Sequence, residues 1–391
     1  MTFPNSLISP GADGAELSLM EQARELADRV ARPTVADRDR EGRWDPALFA
    51  ELAGRPELGL AGPLVPRELG GGGLSATQTC ALLEGLGEGS RDPGLVLAFG
   101  VHAVLATVPL RAFGSSRQRE RYLPRMASGD WLGAVSLSQT HGTALAATVT
   151  ARPATAGPGD WVLTGELDLV VGAPVAHHFL VVASHEDGGR TAFVVDRDTP
   201  GLLVDDAAPA AMRTCPWGRL VLTGCRVPDD AVLGSVGGAA TGTEPLLAAL
   251  DWVFGSAPWL GLIRALTRDA IDGARERRLF GRPMTHAQSV RFTLADLAAQ
   301  GELAAGLLYQ AAAQFDEGGR PRRQDVAAAR LFVAAAARTV VDGAARLSGA
   351  IAKDDDGLIE RAHRDALFFA GAGGGTEVLR PVIAASLLGL G

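Results

Sequence analysis

Apolar positions change their spacing twice along this chain. From residue 15 to about residue 130 they recur at helical intervals, as in Leu17, Met20, Ala23, Leu26 and Ala27. A further helix is predicted from Trp44 to Leu60, with Asp45 as its N-cap and Pro46 as its first residue. Gly70-Gly71-Gly72-Gly73 reads as a turn, and Leu74-Ser75-Ala76-Thr77 starts the next helix. From 131 to 236 the apolar runs are short and β-rich: Trp161–Gly165, Phe179–Ala183, Thr191–Val195 and Arg219–Leu222. Gly, Pro and Asp clusters separate them, which predicts a small β-barrel or sandwich. From about 243 the helical period returns in stretches at 245–279, 287–316, 323–350 and 360–370, enough for an antiparallel four-helix bundle. The predicted class is α+β: a helical domain at 1–130, a β domain at 131–238 and a helical bundle at 239–391. Apolar residues cover much of the bundle helices, as expected for helices buried both in the bundle and against a partner subunit.

Composition narrows the chemistry. With 391 residues, 47% of them hydrophobic, the chain can fill two or three cores, and global disorder is excluded. A net charge of −8 argues against a nucleic-acid partner, which needs a basic stripe. Lys353 is the single lysine, so a Schiff-base mechanism has one candidate, inside the charged run Lys353-Asp354-Asp355-Asp356. Cys80, Cys215 and Cys225 are far apart and odd in number, against a disulfide framework or a Cys-rich metal site. The start, Met1-Thr2-Phe3-Pro4-Asn5-Ser6, has no signal-peptide pattern, and no unbroken run of about 20 apolar residues occurs. A cytoplasmic location with no membrane partner is the expectation.

Several candidate sites are weak by their own spacing. The four glycines are neither preceded by a strand nor followed by Gly-Lys-Ser/Thr, so a phosphate loop is not expected. His177 and His178 are adjacent on a predicted strand, so they face opposite ways and do not make a metal pair. His141 is a candidate acid or base, with a plain loop histidine as the simpler alternative. No Ser-His-Asp arrangement can be read from spacing.

A set of segments spread over nearly the whole chain carries a resemblance. They are Leu58-Gly59-Leu60 with Val65-Pro66-Arg67-Glu68-Leu69-Gly70-Gly71, Tyr122-Leu123-Pro124 with Ser128-Gly129-Asp130, and Cys225-Arg226-Val227-Pro228 with Leu233-Gly234. Arg277-Arg278-Leu279-Phe280-Gly281-Arg282-Pro283 with Gln288, Arg364-Asp365 and Gly375-Thr376 complete it. In their order and spacing the chain resembles the acyl-CoA dehydrogenase family. The resemblance implies FAD between the β domain and the bundle, with its adenine end near a neighbouring subunit of a homodimer or homotetramer. Arg277 matches the pyrophosphate-binding arginine, and Phe280 and Gln288 match positions on the same cofactor-facing surface. Leu137, Ser138, Thr143, Val170, Val171, Ser348, Gly349, Thr376 and Val378 are the other positions it assigns to the cofactor.

The implied reaction removes an α-proton from an acyl thioester, on CoA or a carrier protein, while a β-hydride goes to flavin. Electrons then pass to a second flavoprotein or to oxygen. The usual base is a glutamate just before the Gly-Thr pair, and Gly374 stands there, or Gly373 if the length difference falls later. Glu377 lies beyond Thr376, where Val378, Leu379 and Ile383 predict a helix that carries it away. Some members of the family place the base on the first bundle helix, and there Asp251 is the matching residue, although Trp252 replaces the arginine that follows. Its plainer reading is an aspartate in the first turn of a helix. Other departures are Leu169 for a tryptophan near the flavin, Val171 for a threonine near N5, Gln139 for a glutamate, Thr143-Ala144 for Ser-Asp and Ser348-Gly349 for Gly-Gly. The leading expectation is an FAD-dependent acyl-thioester dehydrogenase with Asp251 as base. The alternatives are a base-less partner subunit paired with a paralogue, and a flavin monooxygenase or non-redox enzyme on the same fold.

Overall fold

The computed structural model describes residues 14–141, 147–154, 159–318, 320–348, 357–372 and 375–390. In chain order the helices and strands begin with α1 (Gly14–Val30), α2 (Val35–Glu41), α3 (Pro46–Ala53), α4 (Ala76–Ser90), α5 (Pro93–Gly100), α6 (Thr107–Phe113) and α7 (Ser116–Ala127). The strands are β1 (Gly133–Ser136), β2 (Val149–Pro153), β3 (Trp161–Val171), β4 (His178–Ser184), β5 (Arg190–Asp196), β6 (Leu202–Asp206), β7 (Trp217–Val227) and β8 (Val232–Leu233). Then follow α8 (Thr243–Phe254), α9 (Ala257–Glu276), the hairpin β9 (Arg278–Leu279) and β10 (Arg282–Pro283), α10 (Gln288–Asp316), α11 (Arg323–Ser348), α12 (Leu358–Gly371) and α13 (Gly375–Leu387). They form two compact units. The helical unit takes residues 1–40, 76–96 and 252–391, and the sheet unit takes 41–75 and 97–251.

In the helical unit, α4 is the hub. Its run Glu84-Gly85-Leu86-Gly87-Glu88-Gly89 has poor helix propensity, yet each glycine is used for close approach. A Cβ at Gly85 would overlap the Met20 carbonyl of α1, and one at Gly261 of α9 would overlap the Glu84 carbonyl. The two neighbours therefore press on α4 almost backbone to backbone. The start of α4 is capped from far away in sequence: the Asp316 carboxylate accepts from Ala76 N at 2.6 Å and from Thr77 N at 3.0 Å. Between α4, α9 and α10 lies a buried polar network. Glu84 is fully buried, takes an ion pair from Arg264, and accepts from the Tyr309 hydroxyl at 2.8 Å. Burial acts to lower the Arg264 pKa, but the Glu84 carboxylate outweighs it and holds the guanidinium charged.

The expected 245–279 helix is two helices, α8 and α9, divided at Gly255-Ser256. Pro258 near the start of α9 lacks an N–H and disfavours a continuous helix before it. Ser256 Oγ fills part of the gap by donating to Trp252 O at 2.6 Å. The expected Trp44–Leu60 helix ends at Ala53, although its cap is as read: Asp45 accepts from Ala47 N and Leu48 N. Gly54 closes it, and the chain turns from there to Leu69. Pro93–Phe113 and Thr243–Glu276 are long and apolar enough to cross a membrane by length and composition alone, but 89% and 78% of their apolar windows are buried inside the protein. That is the behaviour of core helices.

In the sheet unit, eight strands run in the order β6-β7-β3-β1-β4-β5-β8, with β2 bridging β3 and β4. Most pairs are antiparallel; β1 with β4 and β2 with β4 are parallel. Alternate residues such as Leu163, Leu167, Phe179, Val181, Phe193, Val195, Leu220 and Leu222 fill the core on one face. The four strongest strand signals became β3, β4, β5 and β7. The four-residue β1 carried no signal because every residue in it is buried, so no alternation marks it. β1 is fixed at its start by His102. Gly133 N donates to His102 Nδ1 at 3.2 Å, so the ring proton sits on Nε2, which meets Met126 O at 3.1 Å.

Candidate functional site

The end of β1 runs into a tight turn, Leu137–Gln139, closed by Thr140. Three side chains build that turn. Ser136 Oγ accepts from Ser138 N at 3.1 Å, donates to Asp168 O at 2.5 Å and lies 2.6 Å from Ser138 Oγ. Gln139 meets one residue of β4 with both ends of its amide: Nε2 donates to Val182 O at 2.8 Å and Oε1 accepts from Val182 N at 3.3 Å. An ionised glutamate has no donor for the first of these bonds, so the glutamine is matched to this place. Thr140 is completely buried, and its hydroxyl lies 2.9 Å from Leu137 O and 3.1 Å from Asp251 Oδ2.

Asp251 is 4% exposed, among Leu250, Trp252 and Val253, which are also buried. It lies in the last turn of α8, not in a first turn as its plainer reading had it. The carbonyl end of a helix repels a carboxylate, so the position is unfavourable twice over: by burial and by dipole. Thr140 is what the fold supplies in return. The other oxygen, Oδ1, has no hydrogen-bond partner among the described residues. His141 follows Thr140 and is 8% exposed, with Nδ1 unpartnered among the described residues.

The remaining candidates in the sheet unit differ in what they can offer. Leu137, Val170 and Val171 are buried to 2%, 0% and 1% exposure, backbone and side chain alike. Val171 is in register with Val135 on one side and Trp217 on the other. Ser138 is the half-buried member of the turn and keeps a hydroxyl at its surface. Leu169 sits at a bulge with φ of +51°, a strained conformation for leucine, and is 40% exposed.

In the helical unit, Arg277 follows α9 and its Nη1 donates to Leu347 O at 2.9 Å and to Ser348 O, the last carbonyls of α11. Its Nε and Nη2 have no partner among the described residues, so a forked pair of donors remains for an anion. Phe280, at the tip of the β9–β10 hairpin, has φ of +50° and a side chain wholly outside the chain, next to the part-exposed Leu279. Gln288 begins α10 and is exposed. A guanidinium with two donor nitrogens unpartnered among the described residues, an exposed aromatic face and an exposed amide in one short stretch fit a dinucleotide. Ser348 Oγ is turned back to Ala344 O at 2.6 Å, and Val378 is buried on α13. Thr376 is in the first turn of α13, and Glu377 beside it is exposed. Thr143, Ala144, Gly349, Lys353, Gly373 and Gly374 lie outside the described residues.

Sequence reasoning missed Thr140 and Ser136. Thr140 lies 111 residues from Asp251, and no local pattern links them. The only available signal was the cost of burying Asp251, which demands a donor without naming it.

Comparison with known proteins agrees with the order of elements. Residues 14–130, 136–225 and 255–388 match the sequence profiles of the acyl-CoA dehydrogenase N-terminal, middle and C-terminal domains. The chain is 31% identical over 378 residues to benzylmalonyl-CoA dehydrogenase of Aromatoleum aromaticum, covering 94% of this chain and 98% of that one. It is 28% identical to an L-prolyl-[peptidyl-carrier protein] dehydrogenase of Pseudomonas fluorescens over 338 residues, 85% of this chain and 88% of that protein. The solved structure of PigA with FAD and proline has the same fold, at a TM-score of 0.88 and 24% identity over 97% of this chain and 99% of that one. With its helical, β and helical domains in this order, the chain belongs to the acyl-CoA dehydrogenase family.

Proposed function

We propose that the protein is an FAD-dependent dehydrogenase of an acyl thioester, carried on CoA or on a carrier protein, and that Asp251 is its base. The observation that carries the assignment is the buried Asp251 carboxyl, held by Thr140 beside the turn that the family resemblance gives to the flavin. Arg277, Phe280, Gln288 and Ser138 are the side chains assigned to FAD, and the family resemblance adds Leu137, Val170 and Val171. FAD, when bound, supplies the hydride acceptor. The domain limits that go with this reading are 130 and 238. An electron-accepting flavoprotein or oxygen would reoxidise the cofactor, and a homodimer or homotetramer would bury the apolar hairpin tip at Phe280.

The role of this chain's residues is to hold and desolvate the base. Asp251 keeps Oδ2 on Thr140 and presents Oδ1 for the α-proton. Leu250 and Trp252, its neighbours in the chain, are both buried. Aspartate is one methylene shorter than glutamate, about 1.5 Å less reach. The substrate's α-carbon therefore has to come closer to α8 than a glutamate would require.

The test is flavin bleaching by a thioester in the FAD-loaded protein and in Asp251→Asn, which keeps the shape and removes the proton acceptor. We expect reduction to slow by about a hundredfold or more, the range for a general base. Unchanged reduction eliminates Asp251. A second reading, a base-less partner subunit, is favoured by Gly374 in the sequence. It requires that no thioester bleach the native flavin until a paralogous subunit is added.

A further inference from the structure

Thr140 stands between two acceptors with one hydroxyl proton. Leu137 O lies at 2.9 Å and Asp251 Oδ2 at 3.1 Å. A hydroxyl cannot donate to both. Leu137 O, however, already accepts from the Thr140 backbone N–H at 3.3 Å. Asp251 Oδ2 has no other donor among the described residues. Sending the proton to the carboxylate leaves both Leu137 O and Asp251 Oδ2 with a donor; sending it to Leu137 O leaves Oδ2 bare, the costlier outcome.

We propose that Thr140 is the positioning residue for the base: its hydroxyl grips Asp251 Oδ2 and so turns Oδ1 toward the substrate's α-carbon. This rests on the reading of Asp251 as base. It goes beyond that reading because it makes the Leu137–Thr140 turn, and not α8 alone, responsible for the direction of proton transfer. The turn is rigid enough for the task. Ser136 pins its start to Asp168 O, Gln139 ties its end to Val182 on β4, and the Thr140 backbone N–H closes it on Leu137 O. A side chain anchored on a strand end through four such bonds can fix a carboxyl to the tolerance that proton transfer needs. In the step itself the α C–H bond breaks and an O–H bond forms at Oδ1. The electron pair becomes the new C=C bond as the β-hydride leaves to the oxidant, FAD. Oδ2 accepts from Thr140 before and after, so no hydrogen bond has to be broken when the charge on Asp251 is lost.

The test uses the full FAD-loaded chain, with benzylmalonyl-CoA and a prolyl-carrier thioester as probes, and three variants: Thr140→Val, Thr140→Ser and Asp251→Asn. Thr140→Val keeps the shape and removes the hydroxyl. It should slow flavin reduction by about tenfold to a hundredfold, as for loss of a hydrogen bond to a charged group, with little change in half-saturating substrate. Thr140→Ser should restore most of the rate. In the same chain without FAD, Thr140→Val and a further variant, Asp251→Leu, which removes the acceptor that asparagine would keep, should be coupled in urea unfolding by about tenfold in the equilibrium constant, as contacting residues are. If Asp251→Asn abolishes reduction while Thr140→Val reduces at the native rate, the inference fails and the base stands. If Thr140→Val is slow but serine does not restore it, the hydroxyl is not the cause and the inference again fails. Independent, additive unfolding effects would show that the contact is absent. Native-rate reduction in Asp251→Asn, or no reduction of the native protein by either probe, overturns the base and this role for Thr140 together.

Discussion

The core of the helical unit and the turn around Thr140 in the sheet unit satisfy their buried polar groups differently. In the helical unit buried groups are charged and matched. Glu84 pairs with Arg264 and Tyr309, Glu88 with Arg268, and Arg38 with Asp92 at 2.6 Å, with both partners of that last pair almost fully buried. In the sheet unit, around the candidate site, buried groups are neutral and meet backbone: Ser136 on Asp168 O, Gln139 on Val182, Thr140 on Leu137 O and His102 on Met126 O and Gly133 N. Two buried carboxyls of the sheet unit differ from these: Glu244 pairs with Arg190 at 2.6 Å, whereas Asp251 meets only the Thr140 hydroxyl among the described residues. The contrast is in the partners: a hydroxyl for Asp251, a guanidinium and a phenol for Glu84.

The largest effect expected from breaking this contrast is in the helical unit. Glu84→Ala leaves Arg264 and the Tyr309 hydroxyl without their shared partner. Loss of one member of a buried pair costs about 3–5 kcal/mol. The check is the urea midpoint; a shift worth under about 1 kcal/mol would mean that the network is solvated and the contrast false.

The sheet unit should instead be the acid-sensitive one. Burial, followed by the nearby His102, His177 and Arg121, lowers the His178 pKa from 6.5 to about 3, and both of its ring nitrogens lack partners among the described residues. Burial also lowers His102 to about 4, against the opposing pull of its bond to Met126 O. Both are neutral when folded and take a proton more readily when unfolded. Their contribution is therefore complete above pH 6.5 and is lost as pH falls toward 4 and then 3. One such histidine is worth on the order of 2–3 kcal/mol by about pH 4.5. Replacing His178 by leucine should leave stability near neutrality unchanged or raised and should flatten the acid slope of the thermal midpoint. An unaltered slope would place the acid sensitivity elsewhere.

A smaller effect sharpens the comparison at the surface. Asp45 is a carboxylate in the sheet unit that serves two backbone N–H groups at the start of α3. Asp45→Ala should cost about 1 kcal/mol, the usual value for an N-cap, read as a shift in the same urea midpoint. A loss as large as that of Glu84→Ala would erase the distinction between surface caps and buried pairs.

What could be read along the chain was what local forces set. Asp45-Pro46 fixed a helix start because cap and dihedral preference are local. The helical period between 287 and 350 located α10 and α11 because each buries a stripe of its own residues. The four strongest β runs became strands for the same reason. Asp251 stood out because a carboxylate among apolar neighbours needs an explanation wherever it is buried. The end of α3 at Ala53 and the break before Pro258 were read less well, since a helix continues or stops by small margins that packing decides.

The sequence alone determined the order of helical and β-rich segments, the family, and the residue types available for chemistry, because periodicity, propensity and motif spacing are properties of neighbouring positions. Only the tertiary structure decided which distant groups meet: Asp316 at the start of α4, Glu84 beneath Arg264 and Tyr309, and Thr140 on Asp251 across 111 residues of chain. A hydrogen bond is won or lost within a few tenths of an ångström. No one-dimensional spacing carries that distance, which is fixed by how glycine-lined helices and strand ends come to rest against one another.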